Sequence, residues 1–189
     1  MRVMNERAKA ILDFWYIQSS IKDWFTKNNE YDEKIKIFFF EDLQKAIKNE
    51  YDEWQDDPEE CVALVILLDQ FSRNLYRNNE KAFSQDYKTR LIVNKAVERG
   101  YLEKLDQQKI HFLLLPLIHS EDICDHITGH NLVDTHLKSY EVYERLKKSW
   151  NDHTVVIKRY GRYPHRNNVL KRKSTKDEEE FLKQPNSSW

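Results

Sequence analysis

Apolar residues recur three and four positions apart along most of this chain and almost nowhere alternate, which predicts helices and not strands. Ala8, Ile11, Leu12 and Trp15 form a first stripe, and Asn5 stands where its side chain caps the helix that carries them. A second helix is predicted from about Tyr31 to Asn49, on Ile35, Phe38, Phe39, Leu43, Ala46 and Ile47, with Lys and Glu between them. Asp57-Pro58-Glu59-Glu60 reads as a helix start: a capping Asp, Pro at the first position, then acids at the positive end of the dipole. The helix that follows, through Phe71, is apolar nearly all round and belongs at the centre of the fold. A fourth runs from Lys81 to Arg99 and stops at Gly100, a C′ residue. A fifth begins near Asp106 and meets Pro116. A long helical region covers Ser120 to Trp150, with Gly129 as a candidate break. Asn151 or Asp152 caps a short segment through Arg159, Gly161 and Pro164 punctuate a loop, and Ser174 with Asp177 forms a capping box for a last helix carrying Phe181 and Leu182.

Composition narrows the class. Among 189 residues only 3 are Gly and 4 Pro, too few for a turn-rich all-β fold, a Gly-rich phosphate loop or a dinucleotide fingerprint. No strict 34-residue period and no linker is visible, so residues 1–189 read as a single all-α domain. A net charge of −1 excludes a protein that coats polyanions by bulk charge. The longest apolar runs, Cys61–Leu68 and Phe112–Ile118, fall well short of the ~20 residues of a membrane helix. Met1 to Ala10, with Arg2, Glu6, Arg7 and Lys9, has no apolar stretch of the kind a secretory signal needs. The two cysteines, Cys61 and Cys124, read as buried core thiols, which suits a reducing cytoplasm better than a disulfide framework.

Several strings occur in order along nearly the whole chain. They are Ile11-Leu-Asp-Phe-Trp15, Leu67-Leu-Asp-Gln-Phe-Ser-Arg-Asn-Leu-Tyr-Arg77, Leu115-Pro-Leu-Ile-His-Ser-Glu-Asp122 and Arg159-Tyr-Gly-Arg-Tyr-Pro-His-Arg-Asn167, the last followed by Arg172 and Ser174-Thr175. Together they resemble the bacterial proteins grouped as domain of unknown function 924. The resemblance implies an all-α, single-domain helical array similar to tetratricopeptide-like folds, and it implies no activity. Ser72 stands where the family commonly has Pro, and Asp125-His126 where Asp-Gln is common, which counts against a site built on His126.

Four constellations carry candidate chemistry. Asp69, Gln70, Arg73 and Asn74 follow eight apolar residues; Asp69 and Arg73 are spaced to pair on one helix face, either closing a buried helix end or looking into a pocket. In His119-Ser120-Glu121-Asp122, a capping Ser with two acids in the first turn is ordinary helix electrostatics, but His119 beside two carboxylates has the makings of a base. His119, His126, His130 and His136, with Asp122 and Cys124, suggest zinc. Gly129 between His126 and His130, and the lack of a Glu beside His126, weigh against it, and no metal or cofactor is expected. The segment Lys158–Lys173 holds seven basic side chains and no acid, so the rest of the chain sums to −8. Within it Pro164 looks like a first helical position, and free amides there with Arg159, Arg162 and Arg166 nearby make a candidate anion site. The alternative is that these arginines bind acids of the protein itself, among them Asp69, Glu121, Asp122 and Asp125.

The reading that results is a cytoplasmic helical protein with a polar pocket for an anionic small molecule. His119 and His165, with Glu121, are the candidates for proton transfer; Asp69, Gln70, Arg73, Asn74, Asp122, Arg159, Arg162, Arg166 and Asn167 are the candidates for binding. The competing reading is a tetratricopeptide-like interaction module that takes a carboxylate-bearing peptide, with the polar strings as a structural ion network. Nucleic acid is not expected, because one short basic stretch on a near-neutral domain is a weak electrostatic footprint. Residues 174–189 are read as a short C-terminal helix and tail.

Overall fold

The structure, a computed structural model, describes residues 3–185 and 187–188. Met1 and Arg2 of the N-terminal reading, and Asn186 and Trp189 of the C-terminal tail, lie outside the described residues. The protein is an all-α domain, and no strand occurs among the described residues.

Helix α1 (Glu6–Asp13) is capped as predicted, with the Asn5 side chain accepting from the amides of Arg7 and Ala8. It runs on as a π-helical turn, Phe14–Gln18. Helix α2 (Ile21–Phe25) was not anticipated, although Ser20 and Asp23 form its capping box. In α3 (Asn29–Ile47) Ile35, Phe39, Leu43 and Ala46 face inward as expected, but Phe38 lies on the outside. Asp57 caps α4 (Pro58–Val65) through the amides of Glu59 and Glu60. The helix continues as a π-helical segment, Ile66–Phe71, and then as α5 (Ser72–Leu75). Every side chain from Cys61 to Leu68 is at most 1% exposed, so this rod is the centre of the core.

The predicted Lys81–Arg99 helix is a 3₁₀ turn, Glu80–Phe83, followed by α6 (Asp86–Glu98), and Gly100 ends it at φ +67°. Asp106 caps α7 (Gln107–Ile118), which passes through Pro116. The region from Ser120 is two helices, α8 (Ile123–His136) and α9 (Tyr143–Tyr160), and the break lies between His136 and Tyr143, not at Gly129. Gly129 sits inside α8 because Trp150 of α9 packs on it: a Cβ there would stand 2.1 Å from Cζ3 of Trp150. Neither Asn151 nor Asp152 starts a helix, since α9 is continuous to the left-handed Gly161. Pro164 does open a helical turn, the three-residue 3₁₀ turn Pro164–Arg166. The last helix, α10 (Lys176–Leu182), is capped by Thr175 and Glu178, one residue beyond the predicted pair.

Helices α6, α7, α8 and α9 pack as successive neighbours joined by short connections, the arrangement of antiparallel helical hairpins. This is compatible with the expected tetratricopeptide-like array. The starts of α6 and α8 therefore meet the ends of α7 and α9 at one end of the array. No helix among the described residues is long and apolar enough to cross a membrane. Cys61 is buried and Cys124 exposed, which corrects the expectation of two buried thiols.

Candidate functional site

A cleft of about 880 Å³ opens where those four helix ends meet. Asp86, Tyr87 and Arg90 of α6, His119 at the end of α7, Asp122 and Ile123 at the start of α8, and Lys158 and Gly161 at the end of α9 line it. Ser120, Glu121, Glu80, Phe83 and Arg166 also lie in its walls. Of the candidate residues, His119, Glu121, Asp122 and Arg166 thus meet in one place.

The central feature is a chain of alternating acids and bases that begins at His119. Nδ1 of His119 lies 2.8 Å from Oδ1 of Asp69, a carboxylate fully buried in the π-helical segment of the central rod. Arg73 holds the same oxygen at 3.0 Å, and the Gln70 amide donates to the other at 2.5 Å. Arg73 also reaches Asp86 at 3.0 Å, and Nη1 of Arg166 donates to Asp86 at 3.2 Å. The order is His119, Asp69, Arg73, Asp86, Arg166. Burial alone would raise the Asp69 carboxyl, but Arg73 and His119 hold it below the usual carboxylate range. Burial lowers His119 and outweighs the pull of Asp69, so the ring is neutral at pH 7. Asp69 accepts a hydrogen bond from Nδ1–H, and among the described residues Nε2 of His119 has no hydrogen-bond partner. That is the arrangement in which a carboxylate fixes the tautomer and leaves the far nitrogen as a base.

A second group sits beside it. Glu121 accepts from the Tyr163 amide at 2.8 Å and from Arg172 at 2.5 and 2.9 Å. Burial would raise its carboxyl, but Arg172 and that amide bring it below the ordinary value. The anion expected at the Pro164 turn is therefore Glu121 of the protein itself. Ser120 does not cap α8; Asp122 does, through the Cys124 amide. Ser120 accepts instead from Arg90 at 2.9 Å and donates to Asp125 at 2.6 Å, while Arg90 also bonds Asp125.

Other candidates lie elsewhere. Arg159 and Arg162 face α10, on Asp177 and Glu178. The Arg162 hydrogen bond pulls the Glu178 carboxyl down to about 2 against its burial. Asn74 joins Arg77 on Asp32 of α3. Asn167 links Arg172 to Ser174. His165 packs beside Tyr163 outside the cleft lining, and burial, with Arg166 nearby, pushes its ring down to about 4. His126 and His130 do not converge on an open position: both contact the Thr154 hydroxyl at 2.9 Å, and His126 donates its other nitrogen to the Ser120 carbonyl. Among the described residues no three His, Cys, Asp or Glu side chains are grouped as a metal site requires.

Reasoning from sequence missed Asp86, Tyr87, Arg90 and Lys158. Asp86 is 80 residues from Arg166, and nothing local marks it as that arginine's partner. Only Lys158 carried a signal, as the first cation of the basic segment.

The sequence pattern of the family described as "Bacterial protein of unknown function (DUF924)" matches residues 11–186. The structure of a protein of unknown function from Agrobacterium tumefaciens is similar at a TM-score of 0.84 and 30% identity, over 93% of this chain and 96% of that one. No curated protein matches the chain. The family match runs from the first helix into the C-terminal tail, and the fold neighbour agrees over almost its entire length: the chain belongs to the bacterial family of unknown function 924.

Proposed function

We propose that the cleft binds an anionic small molecule in a cytoplasmic setting and that His119 moves a proton on it. The observation that carries this reading is the His119–Asp69 pair at the cleft, with Nε2 left without a partner among the described residues. A neutral imidazole held by a buried carboxylate is a proton acceptor and not a point charge. The lining holds four acids (Glu80, Asp86, Glu121, Asp122) against three cations (Arg90, Lys158, Arg166). An anion would therefore be recognised by aimed donors, not by a bulk positive field. Lys158 is the cation of the three that makes no ion pair among the described residues. The free thiols Cys61 and Cys124 fit the cytoplasmic setting.

The test is thermal unfolding against a panel of carboxylates, phosphates and nucleotides, with His119→Gln and Lys158→Ala alongside. A ligand at 100 times its Kd adds about 2.7 kcal/mol, several degrees at about 2–4 °C per kcal/mol for a domain of this size. The reading expects a hit that both variants weaken. It is overturned if nothing in the panel shifts the transition, or if the shift is the same in both variants.

A protein-interaction module is the second reading, favoured by one observation: Ile37 and Phe38 are 69% and 57% exposed on the outer side of α3. It predicts that Phe38→Asp abolishes partner binding without changing the melting temperature.

A further inference from the structure

Arg166 is the end of the charge chain and differs from the arginines that clamp a carboxylate with both prongs of the fork. Arg7 on Asp42, Arg159 on Asp177 and Arg162 on Glu178 all use one edge of the guanidinium, Nε and Nη2 together, the two-pronged fork that matches a carboxylate. Arg166 spends Nη1 on Asp86. Its Nε is buried with no hydrogen-bond partner, and its Nη2 makes no hydrogen bond among the described residues. The side chain is only 7% exposed, yet it lines the cleft. The rings of Phe83 and Tyr163 pack on the guanidinium at 4.6 and 4.5 Å and fix its plane. Arg73 and Arg166 also share Asp86, so two guanidiniums lean on one carboxylate. A buried guanidinium with an unused fork is costly unless something completes it.

We infer that the Nε/Nη2 edge of Arg166 receives a carboxylate of the ligand, and that the same ligand carries an O–H or N–H donor for Nε2 of His119. This rests on the ligand cleft proposed above and names its ligand class: a hydroxy acid or an amino acid. A planar carboxylate lies in the plane of the fork. Nη2 offers the first contact, and a small shift of the buried Nε edge closes the second bond.

The experiment follows the imidazole nitrogens of His119 by NMR in the full-length protein while lactate, alanine, propionate and inorganic phosphate are titrated. The inference expects lactate or alanine to bind about tenfold or more tightly than propionate, the factor of one hydrogen bond to an otherwise unpaired group. It expects Nε2 to be the nitrogen that moves. Arg166→Lys keeps the charge but loses the fork, and should weaken that acid about tenfold or more. The comparison of lactate or alanine with propionate needs no variant, so it stands even if Arg166→Lys folds poorly. Equal affinity for all three acids, or binding untouched in a folded Arg166→Lys, overturns the inference. Phosphate binding with no carboxylate binding overturns it while leaving an anion cleft in place. If no anion moves His119, the cleft reading fails with it.

Discussion

Gly129→Ala gives a test of the packing whose sign is informative. At an open position inside a helix, Gly→Ala gains about 1 kcal/mol from backbone entropy. At Gly129 the new methyl would lie 2.1 and 2.4 Å from Cζ3 and Cη2 of Trp150, and 3.4 Å from Cβ of Leu117. Trp150 is 1% exposed and packs edge-on to His130 at 5.6 Å, so its ring cannot swing out into solvent. The ring, and α9 with it, must move by more than 1 Å. Forcing a methyl into a packed core costs about 1–3 kcal/mol. With an overlap this deep the upper end applies, and subtracting the helix gain leaves a net loss of about 2 kcal/mol. For a domain of this length that lowers Tm by about 4–8 °C. Thermal unfolding followed by circular dichroism and tryptophan fluorescence measures it. Trp150→Phe removes the atoms that clash, so the double variant should lose less than the sum of the singles. A Gly129→Ala protein as stable as the parent, or more so, would refute the close contact between α8 and α9.

The remaining predictions concern charge and exposure. Burial pushes His111 and His165 down to about 4 and His153 to about 3, below the ordinary value of about 6.5. Their folded pKa values are depressed, so the stability they contribute is complete above about pH 6.5 and is lost as pH falls toward 4. Urea midpoints should fall over that window, and a flat profile there would contradict the burial. Glu178→Gln should destabilise the docking of α10, with the full difference from the parent present above about pH 4.5 and shrinking as pH falls toward 2. A difference independent of pH would show that the Arg162 ion pair is not its source. A thiol reagent should label exposed Cys124 quickly and Cys61 only on global unfolding, since Cys61 is buried and its thiol is pushed up to about 12. Equal labelling rates would contradict that placement.

What was legible in the sequence was local. Asn5, Asp57 and Asp106 start helices through bonds to amides two or three residues on, Gly100 ends one at a positive φ, and each acts as its residue type predicts. The apolar run Cys61–Leu68 could only be a core rod. Gly129 shows the limit of such reasoning: a glycine in a helical stretch marks either a break or a close approach, and the atom that decides it, on Trp150, is 21 residues away. Helix α2 was missed because its five residues include no buried side chain and so leave no stripe. In the site, His119, Glu121, Asp122 and Arg166 stood out as polar groups at helix ends and do share the cleft. Asp69 as the partner of Arg73 and Glu121 as a partner of the basic segment stood out too; the remaining partners did not. Opposite charges attract without regard to position in sequence, so Arg166 on Asp86, Arg90 on Asp125 and Arg162 on Glu178 follow from the packing of helices and not from any motif.

The proposed function stands on Asp69 holding His119 as a neutral base beside the cleft. Nitrogen NMR of the labelled imidazoles, with His119→Gln to assign the signal and pH varied from 5 to 8, tests it most directly. The expected result is a proton on Nδ1, a bare Nε2, a titration midpoint below about 6.5, and a further fall of that midpoint in Asp69→Asn, because the carboxylate raises it. A proton on Nε2 at pH 7, or a midpoint above 7, would contradict it.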